Sequence, residues 1–310
     1  SEDTALRVKR QFIARYGRPL YTIGIGASGG ALQQYLLAQN RPGLIDAGIA
    51  LYSYPDMITQ IGYSLDCELL EYYFDEIADH NPDWKNWNKR QTVIGLNSIQ
   101  GYPNKFQIFN VIVDVLNFRW PKLPGGASVC TNGWRGSHAL VNNPNFTSEY
   151  YRYADEIVKE TQWSHWGNLN QFYGTDQEGW ANSLFDNEGV QYGLAALKRG
   201  QISAETFIHL NSRIGGWKPQ KEMSEEYYWH ISGHGQLKEM KISSQHNMTH
   251  NAYSTPLATR SRVNHESIEA AYRSGMIFTG VLDIPIIDLR HYLEDRLDIH
   301  HTWASFSIRK

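Results

Sequence analysis

Gly24-Ile25-Gly26-Ala27-Ser28-Gly29-Gly30 lies where one kind of periodicity gives way to another. The run before it, Tyr21 to Ile25 (YTIGI), is short, β-branched and glycine-bounded, the profile of a buried parallel strand. The run after it, Ala31 to Gln39 (ALQQYLLAQ), is rich in good helix formers and is closed by Pro42-Gly43. Between them sits GxSxG. A serine on so sharp a strand-to-helix turn is held in a strained conformation that only small neighbours tolerate, hence glycine two residues before and two after. The turn lifts the hydroxyl clear of the sheet and aims the backbone N–H of Gly29 at the place where negative charge would form. The N-terminus of the next helix adds a favourable dipole. Ser28 is therefore the candidate nucleophile and Gly29 the candidate oxyanion-hole donor.

The same residues also read as GxGxxG from Gly24 to Gly29, the pattern of a phosphate-binding turn. That reading requires an acidic residue ending a second strand about twenty residues later. The second apolar run, Ala47 to Tyr52, leads instead into Ser53-Tyr54-Pro55, so the ribose-binding feature is missing.

Working outward, residues 3–16 place Leu6, Val8, Phe12, Ile13 and Tyr16 near helical spacing, with a stop at Gly17-Arg18-Pro19. The order helix, strand, helix, strand predicts an α/β fold with a parallel sheet covered on both faces. From residue 56 to 279 the pattern becomes helical segments, such as 64–79 and 148–160, between loops rich in Trp, Asn, Gly and Pro. A buried-strand signal returns only at Val281 to Leu289 (VLDIPIIDL). The expected organisation is a core part at 1–55 with the serine turn, a large, mainly helical, aromatic-rich cap at 56–279, and a second core part at 280–310 with an acid loop.

The composition narrows the function classes. Twenty-nine basic residues against 32 acidic give a net charge of −3 without long runs of either sign, which offers no electrostatic case for a nucleic-acid partner. No apolar stretch reaches the length of a membrane span. Cys67 and Cys130 suit either one disulfide in an oxidising compartment or two buried thiols. Sequons at Asn145-Phe146-Thr147 and Asn247-Met248-Thr249 lean towards a secreted or periplasmic protein.

The stretch GIGASGGALQQYLLAQNRPGLIDAGIALYSYPD resembles the serine-turn region of the tannase and feruloyl-esterase-like branch of α/β-hydrolases. More closely, the chain resembles a poorly characterised tannase-like family, through Gln33-Gln34, Tyr54-Pro55-Asp56, the Asp66 to Leu70 segment, Pro285 to Leu293, and Asp298-Ile299-His300-His301. The resemblance spans nearly the whole chain. It implies an α/β-hydrolase-type fold and a serine nucleophile. True tannases and feruloyl esterases commonly carry, before the serine, a cysteine bridged to one beside the histidine; Ala27 stands there in this sequence.

A serine hydrolase of this fold needs an acid and then a histidine after the serine in chain order. Asp298 is the first choice for the acid, with Asp288 and Asp295 as alternatives. His301 or His300 is the expected base, unless the base lies outside this chain. The pairs His246/His250 and His230/His234 have metal-ligand spacing only on helices, and their Gly, Asn and Ser surroundings favour loops; no metal and no cofactor is expected.

The function expected is ester hydrolysis by Ser28 through an acyl-enzyme, on a small-molecule or polymeric ester chosen by the cap. Trp84, Trp87, Trp120, Trp134, Trp163 and Trp166 either serve that choice or form the cap's core. The alternative is a noncatalytic structural or binding subunit with a hydrolase-derived fold. Only 27 residues precede Ser28, fewer than a full hydrolase sheet would place there. The sheet is therefore expected to be incomplete within this chain, with additional polypeptide from proteolytic maturation or a longer chain packing on residues 1–60 and 280–310.

Overall fold

The fold follows from three short parallel strands and the helices that cross between them. The computed structural model describes residues 2–78, 80–95, 115, 171–180, 182–222, 225–227, 238–240, 247–253, 255–292, 300 and 302–309. The chain divides into two compact units, Ser1–Tyr63 with Ala271–Lys310, and Ser64–Ala270.

In the first unit, helix α1 (Glu2–Tyr16) carries Glu2 and Asp3 in its first turn and Arg15 in its last, complementing the helix dipole. It stops at Gly17, whose φ of 83° suits only a residue without a side chain and whose N–H caps the Ile13 carbonyl. Strand β1 (Ile23–Ala27) leads through Ser28 into α2 (Gly29–Asn40) and then β2 (Ala47–Leu51). Strand β5 (Ile286–Leu289) completes a parallel sheet of order β1-β2-β5, with Ile25 opposite Ile49 and Ile49 opposite Ile287. The expected α/β class and parallel sheet are thus present.

Strand limits differ from the sequence reading for local reasons. β1 begins at Ile23 because the Thr22 N–H is taken by the Asp46 carboxylate at 2.7 Å, and it runs on to Ala27, the residue before the serine. Only the end of the 281–289 run is strand. Pro285 has no N–H to give the ladder, and Leu282 and Ile284 pack instead against Leu37, Ala38, Leu44 and Ile45. Asp56 starts helix α3 (Met57–Tyr72) earlier than expected by accepting from the N–H and hydroxyl of Thr59 at 2.7 and 3.0 Å. The helix expected at 148–160 lies outside the described residues.

Among the described residues, only one face of the sheet is covered. On the face carrying α2, Ala31, Tyr35 and Ala50 form a core with Phe278, Leu282, Ile286 and Ile308. The register puts Ile23, Ile25, Ile287 and Leu289 on the opposite face, and they are 57%, 64%, 63% and 57% exposed. Parallel sheets are ordinarily buried on both sides. Among the described residues, β1 has no strand on its free edge.

The second unit is largely helical, with α4 (Trp87–Ile94), α5 (Leu194–Lys198) and α6 (Ala204–Arg213), and a short antiparallel pair, β3 (Glu225–Tyr227) and β4 (Lys238–Met240). Trp84 and Trp87 are buried core residues, and the Arg90 guanidinium lies over the Phe74 and Trp87 rings at 5.3 and 5.6 Å. Trp120, Trp134, Trp163 and Trp166 lie outside the described residues. Cys67 is disulfide-bonded; Cys130, the one other cysteine in the sequence, lies outside the described residues. Asn247 is fully buried, so its sequon offers no exposed glycan acceptor, while Asn145 is not described. Helix α7 (His265–Arg273) leads back to the first unit, which ends in α8 (Trp303–Arg309).

Candidate active site

The three parallel strands end side by side, and the residues that follow them converge. Ser28 N–H bonds the Leu51 carbonyl at 2.8 Å and Tyr52 N–H bonds the Leu289 carbonyl at 3.0 Å, so the ladder extends one step past each strand. The carboxyl edge of a parallel sheet is where α/β folds place ligands.

Ser28 is half-buried, with φ 54° and ψ −118°, a conformation that costs a non-glycine residue of order 1–3 kcal/mol and persists only when its surroundings enforce it. The flanking glycines explain the enforcement. A methyl group on Gly26 would lie 2.3 Å from the Gly30 carbonyl oxygen, backbone against backbone. One on Gly24 would lie 1.9 Å from Oε1 of Gln34, whose amide in turn donates to the Gly30 carbonyl at 2.8 Å. The strand and helix thus approach more closely than any side chain allows. Ala31 and Leu32 N–H groups both bond the Ser28 carbonyl, while the N–H groups of Gly29 and Gly30 have no acceptor among the described residues.

Ser28 Oγ is 2.7 Å from Nε2 of His300. His300 also has positive φ, 61°, and its ring contacts those of Tyr52 and Tyr54, at centroid distances of 6.3 and 6.2 Å. Burial, then the charges of Arg290 and His291, push the His300 pKa down to about 4, so the imidazole is neutral and able to accept the serine proton near pH 7.

Arg290, the residue after β5, holds this loop. Its guanidinium donates to the Ser305 hydroxyl at 2.8 Å, to the Ser53 hydroxyl at 3.2 Å, and to the carbonyl oxygens of Ser53 and His300. One planar fork therefore joins the segment after β2, the histidine loop and α8.

Of the residues expected from the sequence, Ser28, Gly29 and His300 come together here. His301, Asp298 and Asp295 lie outside the described residues. Asp288 is on β5, with Oδ1 buried and without a hydrogen-bond partner. Among the described residues no carboxylate bonds His300. His250 stacks near Tyr72 at 4.4 Å, and the other three histidines of the two spaced pairs are not described. The described residues contain no cluster of three metal-ligating side chains and no helix long and apolar enough to cross a membrane. Sequence reading missed Arg290 and Tyr54 as parts of the site, although both lie in segments that carry the family resemblance.

The fold and this geometry define an α/β protein with a strained serine hydrogen-bonded to a histidine at the carboxyl edge of a parallel sheet. The chain belongs to the tannase-like family of unknown function (DUF6351), whose model matches residues 1–310. Comparison with curated proteins and with solved structures gave no match.

Proposed function

We propose that this chain is an esterase-type serine hydrolase of the α/β-hydrolase kind, with Ser28 as nucleophile and His300 as general base. The 2.7 Å bond between Ser28 Oγ and His300 Nε2, made by a serine held in a strained turn, carries the reading. Membership of a tannase-like family agrees with it.

As Ser28 Oγ bonds the ester carbonyl carbon, its proton passes to His300 Nε2, and the carbonyl oxygen takes the negative charge near the free N–H of Gly29. The tetrahedral intermediate expels the alcohol oxygen, which takes the proton from His300 and leaves an acyl-Ser28. Water, deprotonated by His300, then attacks the acyl carbon, and Ser28 Oγ leaves with that proton from His300 as the carboxylic acid is released. Asp298 is our choice for the acid that would hold His300 Nδ1–H, on its sequence position alone. The lack of a carboxylate on His300 among the described residues favours the second reading, a noncatalytic subunit with a hydrolase-derived fold.

Fluorophosphonate labelling and p-nitrophenyl ester hydrolysis separate the two. The wild-type protein is expected to label at Ser28, and Ser28→Ala to lose labelling and at least roughly 10³-fold in kcat. An unlabelled wild-type protein would leave the binding reading.

Two further proposals accompany this one. The Cys67 disulfide supports a secreted or periplasmic location. The exposed apolar sheet face and an edge of β1 that no strand among the described residues pairs support packing by additional polypeptide; a stable monomer in native sizing, with one chain under denaturing conditions, would refute it.

A further inference from the structure

Tyr54 is the one part of the Tyr54-Pro55-Asp56 segment that the helix start does not explain. Asp56 caps α3 and also accepts from the Phe278 N–H at 3.1 Å. Tyr54 is 4% exposed and packs between Leu32 and Ala304, yet its hydroxyl points at the site: a methyl on Gly29 would stand 3.8 Å from it.

A buried phenol needs a good acceptor, and this one has a poor one. Its O–H donates to the Met57 thioether at 3.4 Å. Burial raises the phenol's pKa, an effect the nearby Ser28 hydroxyl offsets only in part, so it stays protonated across the working range. A strong donor spending its proton on sulfur loses little by turning to a nearby anion. A group bonded weakly in the ground state and strongly in the transition state is what accelerates a reaction.

We propose that the Tyr54 hydroxyl is a second donor to the oxyanion, acting with the Gly29 N–H when Ser28 attacks. The inference rests on Ser28 being the nucleophile. It accounts for a buried tyrosine at a position where core packing alone would accept phenylalanine. No covalent bond to Tyr54 is made or broken; its hydroxyl hydrogen-bonds the carbonyl oxygen while that oxygen is charged and turns back to Met57 afterwards.

Tyr54→Phe removes one oxygen and keeps the ring. With p-nitrophenyl butyrate, kcat is expected to fall on the order of 10²-fold with KM nearly unchanged. Inhibition by a boronic acid, which forms a tetrahedral adduct on the serine, should weaken by a similar factor. Met57→Leu, which removes the ground-state acceptor but leaves the phenol, should retain kcat. A Tyr54→Phe variant with kcat within about twofold of wild type, or a Met57→Leu loss equal to that of Tyr54→Phe, would overturn the proposal. If Ser28→Ala is inactive in either case, the nucleophile stands and Tyr54 alone fails; if Ser28→Ala remains active, the underlying reading fails.

Discussion

Ser28 and His300 are 272 positions apart in the chain, yet their side chains share a 2.7 Å hydrogen bond, and both residues adopt positive φ. Neither conformation is favourable locally. The sheet ladder and the paired glycines hold the first, and Arg290 holds the second.

The depressed pKa of His300 sets the acid limit of activity. Burial and the adjacent charges favour the neutral ring, so the base stays competent well below the ordinary histidine value of 6.5. The acid limb of kcat/KM is expected near pH 4, and a limb at or above 6.5 would contradict the site described here. The sign for stability is the same. The folded state resists a proton that the unfolded chain accepts, so the contribution is complete above 6.5 and is lost as pH falls to about 4. Melting scans of wild type and His300→Gln across that window should diverge progressively.

Arg290 is a positioning residue, and charge alone does not reproduce its fork. Arg290→Lys keeps the cation but cannot reach Ser53, His300 and Ser305 together. Fluorophosphonate labelling is expected to slow by roughly tenfold or more in Arg290→Lys. Guanidinium ion should partly restore labelling in Arg290→Ala and leave wild type unaffected, a response that general loosening of the fold would not give.

The two glycines before the serine are constrained to different degrees. At Gly26 an added methyl meets the Gly30 backbone at 2.3 Å, which cannot yield without opening the turn. At Gly24 the obstacle is the end of the Gln34 side chain, which can rotate away. Gly26→Ala should therefore cost more than Gly24→Ala, about 1–3 kcal/mol against a smaller loss. Denaturant titration checks the order, and adding Gln34→Ala should relieve Gly24→Ala but not Gly26→Ala.

The part of this fold legible in sequence was the part governed by local rules. YTIGI and ALQQYLLAQ announce a strand and a helix through β-branching, helix propensity and bounding glycines, and GxSxG marks the turn between them. The exact start of α3 depended on Asp56 reaching Thr59, and the truncation of β5 on Pro285, details that periodicity smooths over. Arg290 and Tyr54 were illegible for another reason. Their roles come from contacts with Ser53, His300 and Gly29, which are remote in sequence or brought close only by folding. Between His300 and His301 sequence gave no means of choosing, because adjacent residues differ only in which way the chain turns. His300 meets Ser28 through its left-handed backbone.

The uncovered side of the sheet has a practical corollary for anyone handling the purified chain. Ile23, Ile25, Ile287 and Leu289 form an oily plane beside a strand whose outer amides and carbonyls meet no partner strand among the described residues, with no lysine or proline within β1 to discourage recruitment. Such a margin is a template on which like margins stack, so a charge placed on it would act on self-association without touching the chemistry at Ser28.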